Sequence, residues 1–105
     1  RDWGCAKDYV FAMWLMLQAK NPNNYVIGTG KLMTVKDVIS IVFEHLNLDW
    51  KKFVEIDKNF PRDLKSVPLI ANPTKIKQDL GWAISRDFKY VLKEMIEEDL
   101  KIKQG

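Results

Sequence analysis

The sequence of 105 residues predicts an α/β chain, mostly helical with short strands. Three observations carry that reading. A block apolar on nearly every side runs from Tyr9 to about Ala19, and two later stretches repeat apolar residues at helical spacing behind a capping residue. Between them lie three short runs, Tyr25–Ile27, Phe53–Ile56 and Val67–Ile70, that read as extended backbone.

Taken in order, Arg1-Asp2-Trp3-Gly4-Cys5-Ala6-Lys7-Asp8 is a short polar entry to the first helix. Asp8 is placed to accept from that helix's first free amides, and a helix apolar all round is expected to be buried rather than amphipathic. Asn21-Pro22-Asn23-Asn24 breaks it. The strand candidate Tyr25–Ile27 enters Gly28-Thr29-Gly30-Lys31. Thr34 then caps a second helix running to about Leu46, with Val38, Ile39, Ile41, Val42 and Leu46 on its apolar face. Asp49-Trp50-Lys51-Lys52 makes a turn, and Phe53–Ile56 alternates apolar and polar. Lys58 to Ser66 is loop, broken by Pro61. Asn72-Pro73 starts a short helix that Gly81 ends. Ser85 caps the last helix, from about Arg86 to Ile102, whose Phe88, Val91, Leu92, Met95, Ile96 and Leu100 share one stripe; the tail after it is expected to fray.

Composition narrows the function classes. The chain is one domain at most. Its net charge of +3 comes from lysines spread along the chain, which argues against nucleic-acid binding. The longest apolar run falls far short of the roughly 20 residues that span a bilayer, and no signal-peptide pattern opens the sequence. One cysteine makes no disulfide, and with one histidine it cannot supply a Cys/His metal site. A reducing cytoplasm fits. The charged pair just before a core tryptophan is an unusual way for a domain to open, so the chain reads as the back part of something longer.

Motifs that carry chemistry are few. Gly28-Thr29-Gly30 follows a strand candidate as a dinucleotide fingerprint would, but the third glycine's place is Met33, and Gly30-Lys31 is followed by Leu32 rather than Ser or Thr. A tight turn between strand and helix is the reading taken. His45 has no metal-ligand partner at suitable spacing, Cys5 reads as a packed thiol, Tyr90 and Lys93 as surface neighbours, and Glu97-Glu98-Asp99 as a solvated face. No catalytic residue is assigned.

The stretch Arg-Asp-Trp-Gly-x-Ala-Lys-Asp-Tyr-Val-x-Ala-Met-Trp-Leu-Met-Leu-Gln resembles the opening of the C-terminal region of GDP-mannose 4,6-dehydratases, extended short-chain dehydrogenases/reductases. Position 5, a histidine in typical members, is Cys5. Tyr25-Val26-Ile27-Gly28-Thr29-Gly30, Leu48-Asp49-Trp50 and Asn72 to Trp82 resemble the same family in the same order, so the likeness runs from Arg1 to about Leu100. It implies that residues 1–105 are a single partial domain, the C-terminal substrate-binding part of such an enzyme, without its Rossmann cofactor domain. The group's catalytic Tyr-x-x-x-Lys is not found: Tyr9, Tyr25 and Tyr90 are followed at that distance by Met13, Thr29 and Glu94.

The resemblance also implies site residues. The family's loop reads Arg-Pro-x-Glu, its arginine on the nucleotide diphosphate and its glutamate on the ribose hydroxyls. Counting back from Asn72-Pro73, Arg62 falls on that arginine, Asp63 on the proline and Lys65 on the glutamate. A guanidinium beside Pro61 suits a two-pronged grip on phosphate, while Lys65 puts the ribose contact in doubt. Arg1 matches a family position near the nucleotide sugar. For the whole protein the implied activity is that of an NADP-dependent lyase converting GDP-mannose to GDP-4-keto-6-deoxymannose, with no cofactor held by this chain. The implied partners are a GDP-sugar and the missing N-terminal cofactor domain, and self-association is expected of the isolated chain. A related nucleotide-sugar epimerase or reductase, or a non-catalytic nucleotide- or partner-binding module, are the alternatives.

Overall fold

The computed structural model describes residues 1–57, 59 and 67–104. Its order is α1 (Ala6–Gln18), α2 (Val35–His45), a 3₁₀ turn (Trp50–Lys52), α3 (Thr74–Leu80) and α4 (Phe88–Gln104). α1 begins three residues earlier than the apolar block suggests. Cys5 sits at its N-cap with extended backbone, and the Cys5 carbonyl accepts from the Asp8 and Tyr9 amides. Asp8 is therefore not the cap. It lies inside the first turn, where its charge suits the helix dipole, and its carboxylate turns away to Ser85 and Arg86.

Nor is α1 buried on all sides. Ala12 and Asp8 are buried and Leu15 and Met16 half-buried, but Val10, Phe11, Met13, Trp14 and Leu17 face outward. Leu17 is 82% exposed and Trp14 53%, so the outer face has no cover among the described residues. The inner face builds a small core of Ala12, Ile76 of α3 and Trp82, with Tyr9, Tyr25, Ile27, Leu80 and Ile84 packed around it. The Trp82 indole donates to the Asp8 carbonyl at 2.9 Å, which satisfies its one polar atom in the interior.

α2 carries the expected cap. Thr34 accepts from the Asp37 amide while Asp37 accepts from the Thr34 amide, a reciprocal pair that satisfies two otherwise free donors. At the other end Asn47 takes φ 57°, and the amides of Asn47 and Leu48 return to the Glu44 and Phe43 carbonyls. α2 packs on α4, and the 3₁₀ turn, capped by Asp49, packs on α2 with Phe53 stacked on Phe43 at 5.8 Å. Asn72 accepts from the Thr74 amide at the start of α3, and Gly81 closes that helix at φ 69°. The cap of α4 is Asp87, which accepts from the Tyr90 amide, rather than Ser85; the helix starts at Phe88 and continues to Gln104 through the stretch expected to fray.

The short strands are not found among the described residues. Tyr25–Ile27 has the inward and outward alternation of a strand, with Val26 57% exposed between two half-buried neighbours, but no adjacent strand pairs with it. Phe53 closes the 3₁₀ turn, and Ile56, Val67, Leu69 and Ile70 are exposed. A ladder needs a partner, and one or two residues of alternation do not supply one. The nearest approach is between Arg1 and Met33, which exchange both backbone hydrogen bonds as an antiparallel pair does. The radius of gyration is 17.5 Å and the smallest extent 18 Å, against about 13 Å expected for the radius of a closed domain of this length, so the helices lie in a thin slab. Among the described residues no helix is long and apolar enough to cross a membrane.

Candidate functional site

Among the described residues there is an open groove of about 1180 Å³. One wall is the entry segment with Arg1 and Asp2, another is Val67 to Ala71, and Tyr9, Ile27-Gly28 and the Leu32-Met33-Thr34 approach to α2 complete the lining. Two features of sequence make this arrangement possible. Gly28 has no side chain where Ala71 crosses it; an added Cβ would overlap the Ala71 methyl. Gly30 takes φ 76°, a left-handed conformation that favours glycine, and so turns the chain toward α2.

Asp2 holds the groove together. Its Oδ1 accepts from the amide of Thr29 at 3.0 Å and from the Thr29 hydroxyl, and its Oδ2 accepts from the amides of Gly30 at 3.0 Å and Ala71 at 3.2 Å. Burial works against the charged carboxylate, but the Thr29 hydroxyl and the three amides outweigh it and hold its pKa below the ordinary 3.8. Tyr9, on the same groove, is shifted the other way: burial, then the charges of Asp2 and Asp8, push its phenol above the usual value. Tyr25 is also raised, by desolvation and by its hydrogen bond to Asp79 at 3.1 Å, while Lys75 sits 5.2 Å from its ring and donates to the Asn23 side chain and the Asn24 carbonyl. Both phenols are thus favoured in their neutral form, the opposite of what an activated catalytic tyrosine requires.

The Gly28-Thr29-Gly30 turn does not fit a dinucleotide pyrophosphate. The Thr29 and Gly30 amides, which would have to point at phosphate, already face the Asp2 carboxylate, and that negative charge opposes a second anion at the same place.

Of the residues singled out from sequence, Arg1 lies on the groove, exposed, with its backbone tied to Met33. Arg62 and Lys65 lie outside the described residues. Cys5 is a buried free thiol. His45 has a partner that spacing did not reveal: its Nε2 lies 2.8 Å from Glu97 Oε1, joining α2 to α4. Tyr90 has the Arg86 guanidinium 5.4 Å from its ring. Asp2 and Asp8 were missed as organising residues. The signal for Asp2 was indirect, since a Gly-Thr-Gly turn has free amides that need an acceptor, but nothing in the spacing says which carboxylate supplies it.

Comparison with known proteins places the sequence in a family. Residues 1–95 match the family model described as GDP-mannose 4,6 dehydratase. The chain belongs to the GDP-mannose 4,6-dehydratase family. It is 43% identical over 102 residues to GDP-mannose 4,6 dehydratase 1 of Arabidopsis thaliana, covering 97% of this chain and 28% of that protein. The Dictyostelium discoideum GDP-mannose 4,6 dehydratase is 36% identical over 123 residues, covering 100% of the chain and 35% of the relative. For the Homo sapiens GDP-mannose 4,6 dehydratase the identity is 34% over 119 residues, with 97% and 32% covered. The chain thus spans about a third or less of the length of these dehydratases.

Proposed function

We propose that residues 1–105 are a single partial domain, the substrate-binding portion of an NADP-dependent, cytoplasmic GDP-mannose 4,6-dehydratase, and that its groove takes the nucleotide end of a GDP-sugar. The observation that carries this is the family membership of a chain with an open groove that has an arginine on its wall. In this reading Arg1 and Arg62 attract the diphosphate, and Lys65 adds a further cation where the family has a glutamate. The parent enzyme is a lyase that converts GDP-mannose to GDP-4-keto-6-deoxymannose. NADP, bound by the remainder of that protein, supplies the hydride exchange. The residues in this chain bind and orient the substrate, and the chain alone does not turn it over.

The exposed apolar face of α1 supports a partner: the rest of the parent, or a second copy when the chain is alone. Calorimetry with GDP and a fluorescence titration with NADPH test the reading together. Saturable GDP binding without NADPH binding is expected. Micromolar NADPH binding, or no response to GDP, overturns it.

A further inference from the structure

We infer that Asp2 is a positioning residue for the nucleotide groove, one that sets Arg1 and the Val67–Ala71 wall against each other without touching the ligand. The inference rests on the nucleotide reading above and adds a residue that the reading does not use.

An ionised carboxylate has about four sites at which to accept a hydrogen bond. Asp2 fills four, with two donors on each oxygen: the amide and hydroxyl of Thr29 on Oδ1, and the amides of Gly30 and Ala71 on Oδ2. Nothing remains for a ribose hydroxyl. A carboxylate beside an anion-binding groove would also repel phosphate, so direct ligand contact does not account for it. What the four bonds do is join three segments far apart in the chain. Ala71 is 69 positions from Asp2 and Gly30 is 28. Arg1 is the next residue to Asp2, and its own backbone is pinned to Met33 by the reciprocal pair at 2.7 Å and 2.9 Å. The backbone of Arg1 is therefore fixed from both sides, and Ala71, at the end of the other wall, is tied to the Asp2 carboxylate. Gly28 lets Ala71 come close enough to the Gly28-Thr29-Gly30 turn for this, because the Ala71 methyl occupies the space where a Cβ would stand.

The consequence is a division between stability and affinity that can be measured. In Asp2→Asn the side chain keeps one acceptor oxygen, but its NH₂ meets N–H donors on one side, so either the Thr29 or the Gly30 and Ala71 bonds are lost. The experiment measures GDP affinity by calorimetry on the 105-residue chain, at a temperature where circular dichroism shows both forms folded, with hydrogen exchange at the Gly30 and Ala71 amides read alongside. Asp2→Asn is expected to bind GDP roughly ten-fold more weakly or worse while folded, with faster exchange at Ala71. Thr29→Val, which leaves the Gly30 and Ala71 bonds in place, is expected to stay within roughly two- to three-fold of the parent chain. If Asp2→Asn does not fold, Ala71→Pro deletes one donor and leaves Asp2 intact, and a folded Ala71→Pro must show the same weakening. A folded variant of either kind that binds GDP like the parent chain overturns the positioning role alone. A parent chain that does not bind GDP overturns the nucleotide reading, and this role with it.

Discussion

Asp8 and Ser85 are joined by two hydrogen bonds across 77 positions of sequence: the Asp8 carboxylate accepts from the Ser85 amide at 3.1 Å and from its hydroxyl. The Arg86 amide adds a longer third bond, at 3.4 Å. Asp8 is 5% exposed, and its own carbonyl holds the Trp82 indole, so a single residue ties α1 to the segment that leads into α4. Replacing it with alanine leaves amides of Ser85 and Arg86 without acceptors beside the core. The expected loss is about 2–4 kcal/mol, whereas Ser85→Ala, which removes one hydroxyl, is expected to cost about 1 kcal/mol. Urea unfolding followed by tryptophan fluorescence measures both. Equal costs for the two variants would show that the amide bonds contribute nothing.

Acid sensitivity follows from Asp2. Its pKa is lowered in the folded chain, so the carboxylate contributes stability that is fully present above the ordinary value of 3.8 and is lost as pH falls through the lower folded value. The charged neighbour in sequence is Arg1, and Tyr9, a titratable group on the same groove that feels the Asp2 charge, stays neutral throughout this range. Asp37 is lowered as well, by its bonds with Thr34, and is lost in the same window. Denaturation midpoints measured between about pH 5 and pH 2 are expected to fall less steeply in Asp2→Asn than in the parent chain, with Asp37→Asn as the control for the second group.

Gly28 is expected to tolerate no side chain. A methyl there overlaps Ala71 and comes within 3.2 Å of Asp2 Oδ2, so Ala71 has to move away from Gly28. Overpacking of this kind costs about 1–3 kcal/mol. Gly28→Ala should therefore lower the urea midpoint and speed exchange at the Ala71 amide, which loses its hold on Asp2. Unchanged exchange at Ala71 would mean that the two walls do not depend on each other.

What could be read from sequence was local. Thr34 caps α2, Gly81 closes α3, the turn at Asp49 is a 3₁₀ turn, and Asn72 accepts from the Thr74 amide, although Pro73, expected at the first helical position, stands at the N-cap; each acts on residues within a few positions of itself. The errors share the opposite property. Asp8 and Ser85 were each taken as caps of their own helices because their type and place suited that role, yet they bond to each other. Tyr25–Ile27, Phe53–Ile56 and Val67–Ile70 have extended character, but a strand is a relation between two segments, and a short run of residue types does not say whether a partner is there. Arg1, which lines the groove, was singled out through the family resemblance alone. Asp2, its neighbour, was not, because its four donors come from Thr29, Gly30 and Ala71, residues that only the fold brings together.

The outer face of α1 predicts self-association of the isolated chain. Val10, Met13, Trp14 and Leu17 lie one helical turn apart on one side, and Phe11 stacks on Trp14 at 5.9 Å. A wholly exposed Trp or Phe presents about 150–250 Å², so the face amounts to something on the order of 500 Å², toward the upper end of the roughly 300–600 Å² of the largest apolar patch on an ordinary monomer, a patch that is often an interaction site. Sedimentation should show association that rises with concentration, and the double variant Trp14→Lys, Leu17→Glu should return the chain to monomer with its helix content unchanged. A clean monomer at high concentration that binds no hydrophobic dye would count against this face as an interface.

Arg62 and Lys65 give a paired test of the nucleotide reading. A guanidinium supplies charge-assisted hydrogen bonds to phosphate in a planar fork, so Arg62→Ala is expected to cost on the order of 2 kcal/mol of GDP affinity, and a similar amount of pyrophosphate affinity because both ligands carry the group it recognises. Lys65 behaves differently. Its ammonium has only donors: it strengthens attraction to any phosphate but cannot accept from both ribose hydroxyls as a glutamate does. Lys65→Glu should therefore weaken binding of pyrophosphate while raising the preference for GDP over pyrophosphate, since the new carboxylate repels anions in general and pairs with the ribose in particular. Calorimetry on the two single variants with the two ligands separates these effects. If Arg62→Ala leaves GDP affinity unchanged, the loop is no nucleotide site, and the role implied by the family motif does not apply to this chain.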